Sequence, residues 1–210
     1  ASPMAQMSAV VLAAGQSRRM GKINKLTAVV AGKPVIRHVV DTVLEAGFKD
    51  IVVVLGYDEQ AVSACLEGLP VRFVKNEAFR SGQASSVSAG IAALDNNVSD
   101  VMVVLGDMPL LNAALLNNLH HHHMRNPQHE QMISLPVYLK DRESQVGHPV
   151  IWGRQYFPDL QALTGDQGGR QIWSDHPAII NQMDVEDATL FLDTDTAEAL
   201  RRAEVLLLAR

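Results

Sequence analysis

Between Ala9 and Leu26 the chain reads AVVLAAGQSRRMGKINKL: an apolar run ends at Ala13-Ala14-Gly15, and Arg18, Arg19, Lys22 and Lys25 follow. That order of residue types suits anion chemistry. Small residues let backbone N–H groups approach a phosphate closely, and the cations behind them are placed to hold its charge. The first forty residues carry six Lys and Arg and no Asp or Glu, in a chain whose formal net charge is −5. A second chemical group is Asp107, in Gly106-Asp107-Met108-Pro109, directly after an apolar run. In a chain that already offers a phosphate loop, such a carboxylate is placed to hold a hard cation. Mg²⁺ takes oxygen ligands and keeps several waters, so one or two carboxylates plus phosphates suffice. The competing role for Asp107 is a cap on the helix that follows.

Spacing separates the interpretations of the opening loop. A P-loop needs G-x-x-x-x-G-K-[ST], so that a hydroxyl reaches Mg²⁺. Here Gly15 and Gly21 stand one residue too far apart, and Ile23 follows Lys22. The dinucleotide fingerprint G-x-G-x-x-G is absent too. What is left is LAAG-x-S-x-RMG-x-x-x-KL, or an ordinary strand-to-helix loop with solvated basic residues.

The elements that must position these groups alternate. Short β-branched runs predict strands at Ala9–Leu12, Ile51–Leu55, Val71–Val74, Val101–Leu105, Met132–Val137, Pro149–Trp152, Ile179–Met183 and Leu190–Leu192. Helical patterns lie at Val35–Ala46, Glu59–Leu66, Ala84–Leu94, Ala113–Arg125, Gln155–Leu163 and Ala197–Leu208. IVVVL and VMVVL are apolar throughout, as strands buried on both faces are. The pattern predicts an α/β fold: three layers around a mostly parallel, mixed central sheet. Ligands in such sheets sit beyond the strands' carboxyl ends, so the loops after Leu12, Leu55, Val74 and Leu105 should converge on one cleft. From Gln128 onward the alternation loosens, and that region reads as extra strands and loops shaping a second substrate's pocket. His120–His123 invites a metal reading, but four consecutive helical residues point four ways, so at most an i,i+3 pair could share one ion. A surface helix face is the expectation there.

The whole chain bounds the rest. Its 210 residues suit one domain, read as a nucleotide-binding half (1–110) and an acceptor-binding, closing half (111–210). With 47% apolar and 20% charged residues the composition is globular, and the single Cys65 fits a reducing compartment. No apolar run reaches the roughly 20 residues of a membrane span, and no secretory layout is visible, so a cytoplasmic setting is expected. Mild acidity argues against nucleic acid as the main partner and for a small polyanion.

LAAG-x-S-x-RMG together with GDMP resembles the signatures of the MobA-like NTP-transferase family of Rossmann-like nucleotidyltransferases. Three further segments resemble that family. Asn76 to Val87 resembles its N-x(5)-G-x(3)-S stretch beside the nucleotide base. Gly165-Asp166-Gln167-Gly168-Gly169-Arg170 resembles the GD-x-G-x-R segment of its cofactor cytidylyltransferases, and Leu192-Asp193-Thr194-Asp195-Thr196 resembles its closing D-x-D-T. The likeness runs from Val10 to Leu200. Ala197 and Ala199 depart from the usual D-T-P-E-D close. CTP users in the family typically read LAAG and GTP users LAGG, and the Ala14 methyl would narrow the space beside the base, favouring a pyrimidine. The resemblance is therefore nearest to the molybdenum cofactor cytidylyltransferases.

The resemblance implies transfer of CMP from CTP to the terminal phosphate of a molybdopterin-type cofactor, with release of pyrophosphate and Mg²⁺ as cofactor. Arg19, Lys25 and Asp107 would be catalytic. Leu12, Ala13, Ala14, Gly15, Ser17, Gly21, Gly82 and Ser86 would bind the nucleotide. Asp166, Gly168 and Arg170 would bind the acceptor, Arg170 by a bidentate fork. Asp193 or Asp195 would join Asp107 on the metal, although Thr194 and Asp195 are equally good N-caps for the last helix. A molybdoenzyme or its maturation chaperone is the protein partner implied. Another phosphorylated acceptor, a GTP-using relative and a non-catalytic cofactor carrier stay open as alternatives.

Overall fold

The computed structural model describes residues 7–15, 24–166, 169–175 and 179–210. In chain order the elements are β1 (Met7–Ala13), β2 (Val29–Val30), β3 (Lys33–Pro34), α1 (Val35–Glu45), β4 (Ile51–Leu55), α2 (Glu59–Ala64), β5 (Arg72–Lys75), α3 (Gln83–Ala92), β6 (Asp100–Leu105) and α4 (Ala113–Met124). They continue with β7 (Ile133–Lys140), β8 (Glu143–Val146), β9 (Val150–Gly153), α5 (Phe157–Ala162), α6 (Arg170–Asp175), β10 (Ile180–Asp184) and α7 (Ala197–Leu208).

One mixed sheet carries the site, in the order β10-β7-β9-β6-β1-β4-β5, with β8 paired to β7. β1 runs parallel to both β4 and β6, and β4 parallel to β5. β9 runs antiparallel to β6 and β7, whereas β7 and β10 are parallel. Every residue of β1 and β4 is buried, because alternate side chains feed two separate cores. Ala9, Val11, Ile51 and Val53 face α1, α2 and α4; Val10, Leu12, Val52 and Val54 face α3, α5 and α6. Burying a strand on both faces removes apolar area from water twice, which is why these runs lack the in–out alternation of a half-exposed strand.

The structure differs from the sequence expectations at several points. Leu190–Leu192 is not a strand: Ala188–Phe191 is a 3₁₀ turn, begun by the Asp187 carboxylate accepting from the Thr189 N–H and hydroxyl. Leu190 and Phe191 fill the core from that turn. The last helix is capped by neither Thr194 nor Asp195; the Thr196 hydroxyl accepts from Ala199 N–H at 3.0 Å. Arg170–Asp175, where no helix was expected, forms the short helix α6. The histidine run is not simply a surface face. His121 is exposed, but His120 and His123 are buried on the stripe they share with Leu116 and Leu119.

Candidate active site

The cleft opens at the carboxyl ends of β1 and β6, where parallel neighbours deliver their following loops to one place. Gly106 N–H donates to Leu12 O at 2.9 Å, carrying the β1–β6 pairing to the sheet's edge and leaving Asp107 at the tip. Asp107 does not cap the next helix; Asn112 does, its side chain accepting from Leu115 N–H at 2.8 Å. Lys25 is held by its neighbours. The buried Asn24 accepts from Leu26 N–H through its own side chain and donates to the Asp58 carboxylate at 3.0 Å.

Lys25 Nζ lies 3.0 Å from Asp107 Oδ2 and 2.5 Å from Asp195 Oδ1. The closing segment comes here because Thr194, fully buried, donates its N–H to Asp107 O at 3.1 Å. Asp193 accepts from Asp195 N–H at 3.1 Å, which turns the chain so that Asp195 points at the ammonium. Burial, followed by Asp195 and Asp193, pushes the Asp107 carboxyl up to about 6 against the opposing pull of Lys25. For Lys25 burial alone would lower the pKa, but Asp107 and Asp195 outweigh it and the ammonium sits above its usual value. Two acids thus hold one cation, and Asp193 stands behind them, its charge raising the pKa of Asp107 further.

Beside this group is a cleft of about 370 Å³ lined by Leu12, Ala14, Gly15, Lys25, Gly82, Ser86, Asp107 and Asp166 among others. Its far wall follows β5. Asn76, buried, donates to the hydroxyls of Ser85 and Ser86 at 2.8 and 3.0 Å and accepts from Ala78 N–H, fixing the turn Phe79–Ser81 ahead of α3. Gly82 has φ +117°, and a Cβ there would stand 2.5 Å from both Gly165 O and Asp166 Oδ1. Only glycine lets the Gly165–Asp166 strand of chain close on α3, where Ala84 N–H donates to Gly165 O at 3.1 Å.

Most expected site residues thus meet. Ala13 does not line the cleft: strand alternation turns its methyl into the opposite core. Of the four loops expected to converge, that after β4 supports the cleft from behind, Tyr57 N–H donating to Ala14 O at 3.2 Å, without lining it. Arg170 stands exposed at the start of α6, outside the cleft. Ser17, Arg19, Gly21 and Gly168 lie outside the described residues. Phe79, Arg80 and Gln83 line the cleft without having been singled out by sequence; their place, beside a glycine that follows a strand end, was the available signal.

A second acid–histidine group occupies the other end of β6. Asp100 Oδ1 lies 2.7 Å from His123 Nε2, and Oδ2 lies 2.8 Å from His129 Nδ1 and 2.6 Å from the Ser99 hydroxyl. His123 Nδ1 is 2.6 Å from Ser134 Oγ. The i,i+3 partner of His123 is not the residue it meets; His129, from a separate turn, is. These ligand-type atoms lie within 4.8 Å of one another, but hydrogen bonds already satisfy them, and they tie β6, α4 and β7 together.

Comparison with known proteins adds to this geometry. The chain is 29% identical over 197 residues to nicotine blue oxidoreductase of Paenarthrobacter nicotinovorans, covering 93% of this chain and 95% of that one. It is 36% identical over 132 residues to the bifunctional protein GlmU of Syntrophomonas wolfei, covering 62% of this chain but only 29% of that longer protein. The crystal structure of Rv0371c from Mycobacterium tuberculosis H37Rv superposes with a TM-score of 0.80 at 26% identity, over 95% of this chain and 98% of that one. The same protein has also been crystallised in complex with manganese, superposing with a TM-score of 0.74 at 26% identity over 94% of this chain and 96% of that one. Residues 9–180, from within β1 to the first residue of β10, match the MobA-like NTP transferase domain: the chain belongs to that family and is a nucleotidyltransferase.

Proposed function

We propose that this chain transfers CMP from CTP to the terminal phosphate of a molybdopterin-type cofactor, releasing pyrophosphate with the help of Mg²⁺. The observation that carries the reading is Lys25 bridging Asp107 and Asp195 at the mouth of a cleft that Ala14 and Gly15 also line. The acceptor phosphate needs no base. Its second pKa is about 6, so near neutral pH the attacking oxygen is already mostly deprotonated. The problem left is electrostatic: two anions must meet while charge grows on the leaving pyrophosphate.

Lys25 and Arg19 neutralise the triphosphate, and the backbone from Ala14 and Gly15 offers N–H groups to it. Asp107, with Asp193 or Asp195, would hold the metal, which when bound would supply Lewis-acid stabilisation of phosphoryl charge. Lys25, which bridges the two carboxylates, would also be within reach of a triphosphate in the cleft that it lines. The Ala14 methyl, buried beside Phe79 and Gly56, limits the room for a base and supports a pyrimidine. A protein partner that receives the product, a molybdoenzyme or its maturation chaperone, belongs to the same proposal.

The test is to incubate the protein with each NTP, Mg²⁺ or Mn²⁺, and either a phosphorylated pterin or a phosphosugar, measuring pyrophosphate. Release with CTP and the pterin alone is the expected outcome. Release with a phosphosugar would move the protein to another acceptor within the family, and nucleotide binding without release would make it a carrier.

A further inference from the structure

On the other side of β6 from β1 lies a recess that the proposed mechanism does not use. β6, with Asp107 beyond its tip, runs between β1 and β9, and β9 is antiparallel to it with Val150 opposite Val103. His148, two residues before Val150, therefore stands at the same end of the sheet as Asp107. The chain is pinned just ahead of it, where Gly147 N–H donates to Pro136 O at 2.9 Å. His148 lines a narrow recess of about 20 Å³ with Trp152, Trp173 and Leu160, and the recess shares Leu12, Gln83 and Leu105 with the nucleotide cleft. Apart from the two indoles, its polar side chains are His148 and Gln83, and among the described residues neither has a hydrogen-bond partner. Burial, then the charge of Arg170, hold the imidazole down at about 4. Near neutral pH it is therefore uncharged and offers one donor and one acceptor, and the Gln83 amide offers both kinds too.

A polar group held among apolar walls without a partner weakens a fold, so these two side chains call for a ligand. Size and charge narrow what fits. A recess of about 20 Å³ has room for one water-sized group, too little for a phosphate. No Lys or Arg lines it, so an anion there would be buried unpaired, at high cost. What matches is a single uncharged amino or keto group, carried on a ring whose body lies in the adjoining cleft. In the reading above the base lies by Ala14 and Phe79, on the β1 side, so the ring reaching across β6 is the acceptor's. We propose that Gln83 and His148 read the acceptor, taking an uncharged amino or keto group of its ring into this recess through hydrogen bonds. The assignment to the acceptor rests on the transfer reading; the demand for an uncharged partner rests on the recess alone.

The test pairs stability with binding. His148→Leu puts an apolar group of similar size among Leu12, Val87 and Leu160. Its melting temperature should equal or exceed that of wild type, because the fold loses no hydrogen bond. Calorimetric titration of the full chain with unsubstituted pterin, which carries an amino and a keto group and no phosphate, should show saturable binding. His148→Leu and Gln83→Leu should each weaken it about tenfold, the worth of one buried hydrogen bond left unmade, while His148→Leu binds CTP as wild type does. In turnover both variants should raise KM for the acceptor. Pterin affinity and acceptor KM that neither variant moves would overturn the pair, as would a His148→Leu protein that melts well below wild type, since the imidazole would then be holding the fold. Weakened cytidine binding with pterin binding untouched would overturn the assignment to the acceptor and give the recess to the base. The transfer reading fails separately: if a phosphosugar alone supports pyrophosphate release and both variants raise its KM, the pair stands and the pterin acceptor falls.

Discussion

Replacing Asp107 with Asn should make the metal-free protein more stable while ending its activity. Burial lifts this carboxyl from 3.8 to about 6, the pull of Lys25 included. The folded state therefore binds the proton more tightly than the unfolded chain. The sign follows: this group's contribution is fully favourable below pH 3.8 and is lost as pH rises through about 6. At about 1.4 kcal/mol per pKa unit, ionised Asp107 costs the fold about 3 kcal/mol at pH 7.5. Asn is neutral at every pH and nearly the same shape, so it removes that cost. The figure is a ceiling, because the amide must turn its oxygen toward Lys25 and its N–H₂ away. In a chain of this length the gain is worth about 6–12 °C in melting temperature. Thermal denaturation in metal-free buffer at pH 7.5 and pH 4 measures it: the gap between variant and wild type should be large at the first and close at the second. Adding Mn²⁺ with CTP should raise the wild type and leave the variant unmoved, since only a state that binds ligand is stabilised by it. A variant that melts at or below wild type at pH 7.5 would refute the reasoning, because attraction to Lys25 would then exceed the cost of burying the acid.

Lys25→Met removes the cation between Asp107 and Asp195 and should weaken CTP by roughly ten- to hundredfold, the worth of one charged hydrogen bond; calorimetry checks it, and unchanged affinity would detach Lys25 from the triphosphate. Gly82→Ala places a Cβ 2.5 Å from Gly165 O at φ +117°. It should destabilise the protein by more than about 1 kcal/mol in urea unfolding and lower nucleotide affinity with it. His123→Ala leaves the wholly buried Asp100 without one of its partners and should cost about 1–3 kcal/mol or more. Since that group lies at the opposite end of β6, pyrophosphate release per folded molecule should persist, and its loss would show that the two ends communicate.

How much of this was legible in the sequence depended on whether the deciding contact was local. The runs Ile51–Leu55 and Val101–Leu105 announce doubly buried strands through composition alone, and both form, so the carboxyl end that carries Asp107 could be placed beforehand. Asp107 itself was ambiguous between ligand and cap, and the cap is supplied instead by Asn112, whose capping bond no motif marks. The joining of Lys25 to Asp195 spans nearly the whole chain, and depends on Thr194 donating its N–H to Asp107 O; no pattern of spacing contains that contact. His123 shows the opposite failure, where a local signal existed and composition obscured it. Leu116, Leu119, His120 and His123 fall at i, i+3, i+4 and i+7, the stripe of an inward helical face. Such a stripe predicts burial for both histidines, and a buried imidazole must find a polar partner. For His123 that partner is Asp100, the first residue of the strand that ends at Asp107. One strand thus carries an acid at each end with opposite fates: the first is satisfied by side chains, while the second faces a cleft, where burial and two further acids make its charge costly and Lys25 offsets only part of that cost. The difference lies in their surroundings rather than in their residue type.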